Sequence, residues 1–173
     1  MAGDEQAIES LVRQHEADIF KLALSITNDP LDAREIAQET FIMALKSLHS
    51  YEERSSFQAW LRAIALNLSR SHLRKRKSIE RLKTALTLVL RLESQKPFMP
   101  EDIVVQNEKE QLIWQAVSGM DDKHRIPLIL RYFHDLSVAE ISEMLDVKEG
   151  TIHSRLHFAR ERLRIELKKS AGE

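Results

Sequence analysis

Apolar residues recur at three- and four-residue intervals along most of the chain. Strand-like alternation is missing, so the pattern predicts an all-α protein. Ile8, Leu11, Val12, Ile19, Leu22, Ala23 and Ile26 make one face of a helix over 4–27. "NDP" at 28–30 ends it, and Pro30 suits the first position of the next helix. That helix, 31–48, carries Ala33, Ile36, Ala37, Phe41, Ala44, Leu45 and Leu48 on one side. After the polar stretch "HSYEERSS", Ser55 and Gln58 have the spacing of a capping box. The third helix has the stripe Phe57, Trp60, Leu61, Ile64, Ala65 and Leu68, read as core. Arg62, Asn67, Arg70, Ser71 and Arg74 lie on its other face. Three such helices can enclose one core, which predicts a first domain over 1–77.

Residues 78–100 read as a connector. "SIERLKTALTLVLRLESQKPFMP" is too rich in leucine for a plain flexible tether. Its apolar part, 84–92, predicts a helix that packs on one or both domains and holds them together. The second small domain, 101–173, begins with a helix over 103–117 whose core face is Leu112, Ile113, Ala116 and Val117. Another helix covers 123–134, with Pro127 near its first turn, where a missing N–H costs little. Ser137 and Glu140 form a second capping-box pattern, opening a short helix to Leu145. "DVKE" makes a tight turn, and a longer helix runs from Thr151 to about Lys168.

A short helix, a tight turn and a longer helix are the parts of a helix-turn-helix. Val138, Ile141 and Leu145 before the turn, Val147 in it, and Ile152, Leu156 and Leu163 after it would form the seam. Ala139 is small, as a close helix approach requires. The second helix opens with Glu149, Gly150, Thr151, His153, Ser154 and Arg155, and continues through His157, Phe158 and Arg162. The N-terminal end of a recognition helix enters the major groove, and hydroxyls, His and Arg can bond to base edges or phosphates. An ordinary antiparallel helix pair shares much of this pattern.

Charge sharpens the picture. The chain has 173 residues and a formal charge of −1, but the sign is segregated. Residues 62–77 carry six basic side chains, Lys75 among them, and no acid. Residues 101–147 carry four basic and ten acidic residues, net −6, and 148–169 carry seven and three, net +4. Clustered positive charge is the footprint of a phosphate-binding surface. A single basic run can equally be a solvated helix face. The absence of cysteine excludes disulfides, thiolate zinc sites and thiol nucleophiles. The acidic start, with no long apolar run after it, predicts neither a secretory signal nor a membrane span, which suits the cytoplasm. No Gly-rich phosphate loop or HExxH motif is present, so no enzyme site and no cofactor are expected. His153 and His157 are four apart, but no third ligand is evident, so no metal is expected either.

"LSVAEISEMLDVKEGTIHSRLHFARERL" resembles the C-terminal DNA-binding region of the extracytoplasmic-function (ECF, group IV) sigma factors of bacterial RNA polymerase, within the sigma-70 family. The resemblance rests on Leu136-Ser137, Glu140-Ile141, Gly150-Thr151-Ile152, Ser154-Arg155 and Ala159-Arg160. "DAREIAQETFIMAL" is similar to the family's core-polymerase-binding helix, and "FQAWLRAIALNLSRSHLRKRK" to its promoter −10 helix. The resemblance implies a sigma region 2-like three-helix domain and a region 4-like helix-turn-helix domain. It implies that Asp32, Glu35, Gln38 and Glu39 meet the clamp of the polymerase largest subunit. Arg62, Asn67, Arg70, Ser71, Arg74 and Lys75 would then meet the −10 element, and Glu149 to Arg162 the −35 element. Family members are usually held by an anti-sigma factor, often membrane-anchored. His153 stands where the family usually has Lys or Arg, Phe158 where it often has Arg, Ser71 for a common Asp and Asp146 for a frequent Gly. Asp tolerates the left-handed conformation such a turn needs.

Two readings compete with a sigma factor. A conventional helix-turn-helix regulator would bind duplex DNA without polymerase, usually as a dimer. The asymmetric two-module layout and the second basic helix at 62–77 count against it. A helical adaptor without nucleic acid would leave both basic segments unexplained.

Overall fold

The structure, a computed structural model, describes residues 2–51, 56–90 and 108–170, with side chains over 6–49, 56–80 and 112–168 and at Tyr51. Among the described residues there are seven α-helices, one 3-10 turn at Leu48–Ser50, and no strand. The helices are α1 (Ala2–Thr27), α2 (Pro30–Ser47), α3 (Phe57–Leu90), α4 (Glu108–Ser118), α5 (Asp122–Tyr132), α6 (Val138–Leu145) and α7 (Glu149–Ser170). The chain divides into two compact units, Met1–Asp102 and Ile103–Glu173.

In the first unit α1, α2 and α3 each pack against the other two. Ile19, Leu22, Ile26, Ile36, Leu61 and Leu66 are fully buried between them. Thr40 is buried as well, which is possible because its hydroxyl donates to the Ile36 carbonyl at 2.7 Å and leaves no unpaired donor. Asn28, in the left-handed region, ends α1. The Asp29 side chain then caps α2, accepting from Leu31 N at 2.9 Å and Asp32 N at 3.1 Å. Such a cap contributes about 1 kcal/mol. The expected stripe overreaches at its ends. Ile8 lies in the exposed opening turns of α1. Leu45 sits beside the buried row that ends at Ala44, and the 3-10 turn swings Leu48 outward.

Ser56 Oγ accepts from Ala59 N at 3.2 Å at the start of α3, while Ser55 lies outside the described residues. Leu61 is core, but Phe57 and Trp60 are only half-buried. With Tyr51 they form an aromatic cluster at centroid distances of 5.1–5.6 Å. Helix α3 continues unbroken past Lys77 to Leu90. The side chains of 84–92 lie outside the described residues, and with them the packing expected of that segment.

In the second unit α7 packs against α4, α5 and α6. Ile126, Ile129, Leu130, Ile141, Ile152 and Ala159 are buried there. On α4 only Val117 is buried; Leu112 and Ile113 are exposed, and Trp114 packs against the core in their place. Pro127 is fully buried in the second turn of α5, not the first, so its missing N–H removes one i→i−4 bond of the helix. Among the described residues, no helix is long and apolar enough to cross a membrane, and no group of three His, Asp or Glu side chains is placed to hold a metal ion.

Candidate nucleic-acid interface

The turn between α6 and α7 is built by local hydrogen bonds. Ser137 Oγ accepts from Glu140 N at 3.2 Å, and Glu140 Oε2 accepts from Ser137 N at 2.7 Å, completing the capping box. Asp146 takes φ 52°, ψ 53° after α6. Val147 N donates to the Ser142 carbonyl at 3.1 Å, and Ser142 Oγ donates back to the Val147 carbonyl at 2.7 Å. Ile141, Leu145, Ile152 and Leu156 are buried along the seam, with Val138 and Val147 partly buried beside it. Leu163, expected in the seam, packs instead with the buried Ala159 against Val117, Leu128 and Ile129 of α4 and α5. Ala139 is exposed and does not mark the close helix approach expected there.

This packing fixes which side of α7 remains outside. Glu149, Gly150, His153, Ser154, His157, Phe158 and Arg162 are exposed, and Thr151 and Arg155 half-exposed. Ser154 Oγ donates to the Gly150 carbonyl at 2.9 Å. A Cβ on Gly150 would meet nothing within 4 Å, so glycine is not required by the fold; it leaves room for a partner to approach the backbone. The row offers hydroxyl, imidazole and guanidinium groups at the N-terminal half of a helix, the arrangement that reads a DNA groove. His124, which the sequence pattern did not single out, reaches this row from α5 and stacks on Phe158. Burial lowers its pKa below 6.5; Lys123 and Arg155 push the same way, and Asp121 opposes them.

In the first unit Asn67, Ser71, Arg74 and Lys75 are exposed on α3, with Arg70 half-exposed. Arg62 is different. Its Nε and Nη2 donate to Asp18 of α1 at 2.8 and 2.7 Å, and it is mostly buried. It ties α3 to α1 and is not on the exposed face with the others. On α2, Glu35, Gln38 and Glu39 are exposed. Asp32 faces α3 instead, 3.2 Å from His72 and 3.4 Å from Arg76. A groove between α1 and α2 is lined by Phe20, Arg34, Gln38, Phe41 and Ile42 among others. Leu31, Ile42 and Met43 are 75%, 52% and 45% exposed beside these polar groups. Sequence reasoning missed this apolar component, although all three lie off the buried stripe of α2.

The two units are thus a three-helix domain with a basic face and a helix-turn-helix domain. Residues 11–79 match the family model "Sigma-70 region 2", and residues 110–163 match "Sigma-70, region 4". The chain belongs to the ECF RNA polymerase sigma factors. It is 34% identical over 171 residues to the ECF RNA polymerase sigma factor SigW of Bacillus subtilis, covering 96% of this chain and 91% of that one. It is 30% identical over 169 residues to the RNA polymerase sigma-H factor of Pseudomonas aeruginosa, covering 92% and 85%. The fold is that of the sigma factor RpoE solved with the anti-sigma factor NepR from Bartonella quintana, with a TM-score of 0.67, 23% identity, and coverage of 97% and 98%. It is also that of CnrH solved with the cytosolic domain of CnrY, with a TM-score of 0.66, 22% identity, and coverage of 97% and 92%. Membership makes the chain a promoter-recognition subunit that initiates transcription with core RNA polymerase, and the reading as a polymerase-independent regulator falls away.

Proposed function

We propose the following division of labour. Residues 101–173 dock on the duplex −35 element through the exposed row of α7, with Arg155, Ser154 and His153 at the base edges or phosphates. Residues 1–77 serve the −10 element, with Asn67, Arg70, Ser71, Arg74 and Lys75 supplying positive charge and polar groups to the opened strand. Glu35, Gln38 and Glu39, with the apolar side chains around them, take the clamp of the polymerase largest subunit. Carboxylates there would repel a DNA backbone but suit a basic protein groove. Residues 78–100 join the two. The protein works by binding and not by catalysis, in the cytoplasm. An anti-sigma factor restrains it, as the complexes of RpoE with NepR and of CnrH with CnrY suggest by their fold.

The observation that carries this reading is the helix-turn-helix, whose seam is buried while its polar row stays outside. Run-off transcription with core polymerase on a promoter pool tests it. The wild-type chain is expected to direct initiation. Arg155→Ala is expected to lose about 1–3 kcal/mol of binding at the −35 element. Gln38→Ala with Glu39→Ala is expected to stay folded by circular dichroism but compete poorly for core polymerase. A folded double variant that competes normally removes the assignment of α2, and unchanged −35 dependence in Arg155→Ala removes that of α7.

A further inference from the structure

Phe158 is a large apolar ring, 51% exposed, on a helix face otherwise polar, with hydroxyl, imidazole and guanidinium groups and the Glu149 carboxylate at its start. It is not loose. The imidazole of His124 lies against it with ring centroids 4.2 Å apart and planes 25° apart. His124 comes from the first turn of α5, and its side chain is only 12% exposed. A largely covered ring thus backs a half-exposed one. Thr151, Arg155 and Phe158 fall at spacings of four and three, so they share one side of α7. Together with His124, Gly150 and Ser154 they line a single shallow hollow.

We propose that Phe158, braced by His124, is a specificity-determining residue that takes the C5-methyl group of one thymine in the −35 duplex. The proposal rests on the reading of α7 as the −35 helix. In the major groove the apolar group that base pairs present is the thymine methyl, and an aromatic side chain is among the groups that meet it. The surroundings suit DNA. Residues 148–169 carry net charge +4, and Arg155 borders the hollow where a phosphate or base edge would lie next to the methyl. The missing Cβ of Gly150 leaves the opposite rim open for close approach. His124 acts as a positioning residue: it holds the Phe158 ring in one orientation, so the contact forms without ordering a mobile side chain. Burial favours its neutral form, which keeps a flat uncharged ring under Phe158.

The test uses holoenzyme assembled from the full chain and core polymerase, on duplexes selected from a pool randomised over the −35 element. Each selected thymine is then replaced in turn by uracil, which lacks only the methyl. One position is expected to lose about fourfold in affinity, the value of one buried methyl group. That loss is expected to vanish in Phe158→Ala and in His124→Ala, and to return in His124→Phe, which restores a stacked ring without the imidazole. Uracil tolerated at every position by the wild type overturns the proposal, and so does a uracil penalty that survives Phe158→Ala. A strong −35 preference with a flat uracil scan sinks this proposal alone. Binding indifferent to the −35 sequence, in the wild type and in Arg155→Ala alike, removes the underlying reading and this proposal with it.

Discussion

Replacing Arg62 by alanine is expected to destabilise the first unit and leave promoter contacts in place. Arg62 donates to Asp18 through Nε at 2.8 Å and Nη2 at 2.7 Å, and Gln58 Nε2 adds a longer bond to the same carboxylate at 3.3 Å. The fork geometry makes this one of the stronger classes of ion pair. Exposed pairs contribute about 0–1 kcal/mol, whereas breaking a fully buried one costs about 3–5 kcal/mol. The Arg62 and Asp18 side chains are 18% and 25% exposed, which places the loss between these limits. About 2 kcal/mol is expected, a factor of about 30 in the unfolding constant. Asp18→Asn keeps the shape but drops the charge, and is expected to cost about 1 kcal/mol. The chain has two tryptophans, one in each unit. Urea unfolding followed by Trp60 fluorescence in a Trp114→Phe background therefore reports the first unit alone. A double-mutant cycle with Asp18→Ala and Arg62→Ala isolates the pair. Coupling below about 0.5 kcal/mol, together with lost promoter opening in Arg62→Ala, would falsify the structural assignment and return Arg62 to the DNA.

Three further outcomes test the second unit, each read by Trp114 fluorescence in a Trp60→Phe background. Ser137→Ala removes the oxygen that accepts from Glu140 N and the hydroxyl that donates to Glu140 Oε2 at 2.7 Å; it is expected to cost about 1 kcal/mol, and an unchanged urea midpoint shows the capping box to be idle. Asp146→Gly relieves a left-handed backbone at φ 52° and is expected to gain about 0.5–1 kcal/mol, whereas a loss would mean that the aspartate side chain holds the turn. His124, whose folded pKa lies below 6.5, binds fewer protons folded than unfolded, so its contribution is complete above pH 6.5 and lost as pH falls from there through the folded value. Unfolding measured from pH 7.5 down to about pH 5.5 is expected to show a slope that His124→Phe removes; the same slope in both proteins assigns it to other groups.

The helices were legible because their signals are local. A buried stripe with a 3.6-residue period, Asn28-Asp29-Pro30 between α1 and α2, and Ser137 with Glu140 before α6 each act within a few residues. The reading failed where a helix meets or leaves its partners. Ile8 and Leu48 continue the expected stripe but lie beyond the three-helix contact, so periodicity persists after burial has stopped. Leu112 and Ile113 have the spacing of a core face yet are exposed while Trp114 packs inward, because a short helix presents several apolar sides and only the position of α5 and α7 decides which one is covered. The His124–Phe158 stack joins residues 34 apart and has no local signature at all.

The basic residues show most clearly what a sequence withholds. Arg62 and Arg74 belong to one basic run, and both lie off the apolar stripe of α3. Their fates differ because α1 places a carboxylate, Asp18, against the first, while the second stays exposed. Asp32 divides from Glu35 and Glu39 in the same way: it faces His72 and Arg76 across α2 and α3, and they do not. A charge with a partner inside its own unit is already satisfied and gains less from an outside ligand, since the internal pair must first be broken. Interface residues are therefore better sought among the charges that folding leaves over than among all those a pattern contains. On the proposed assignment, that criterion favours Arg70, Arg74 and Lys75 on α3 for the −10 element and Glu35 and Glu39 on α2 for the polymerase, with the exposed polar groups Asn67, Ser71 and Gln38 beside them.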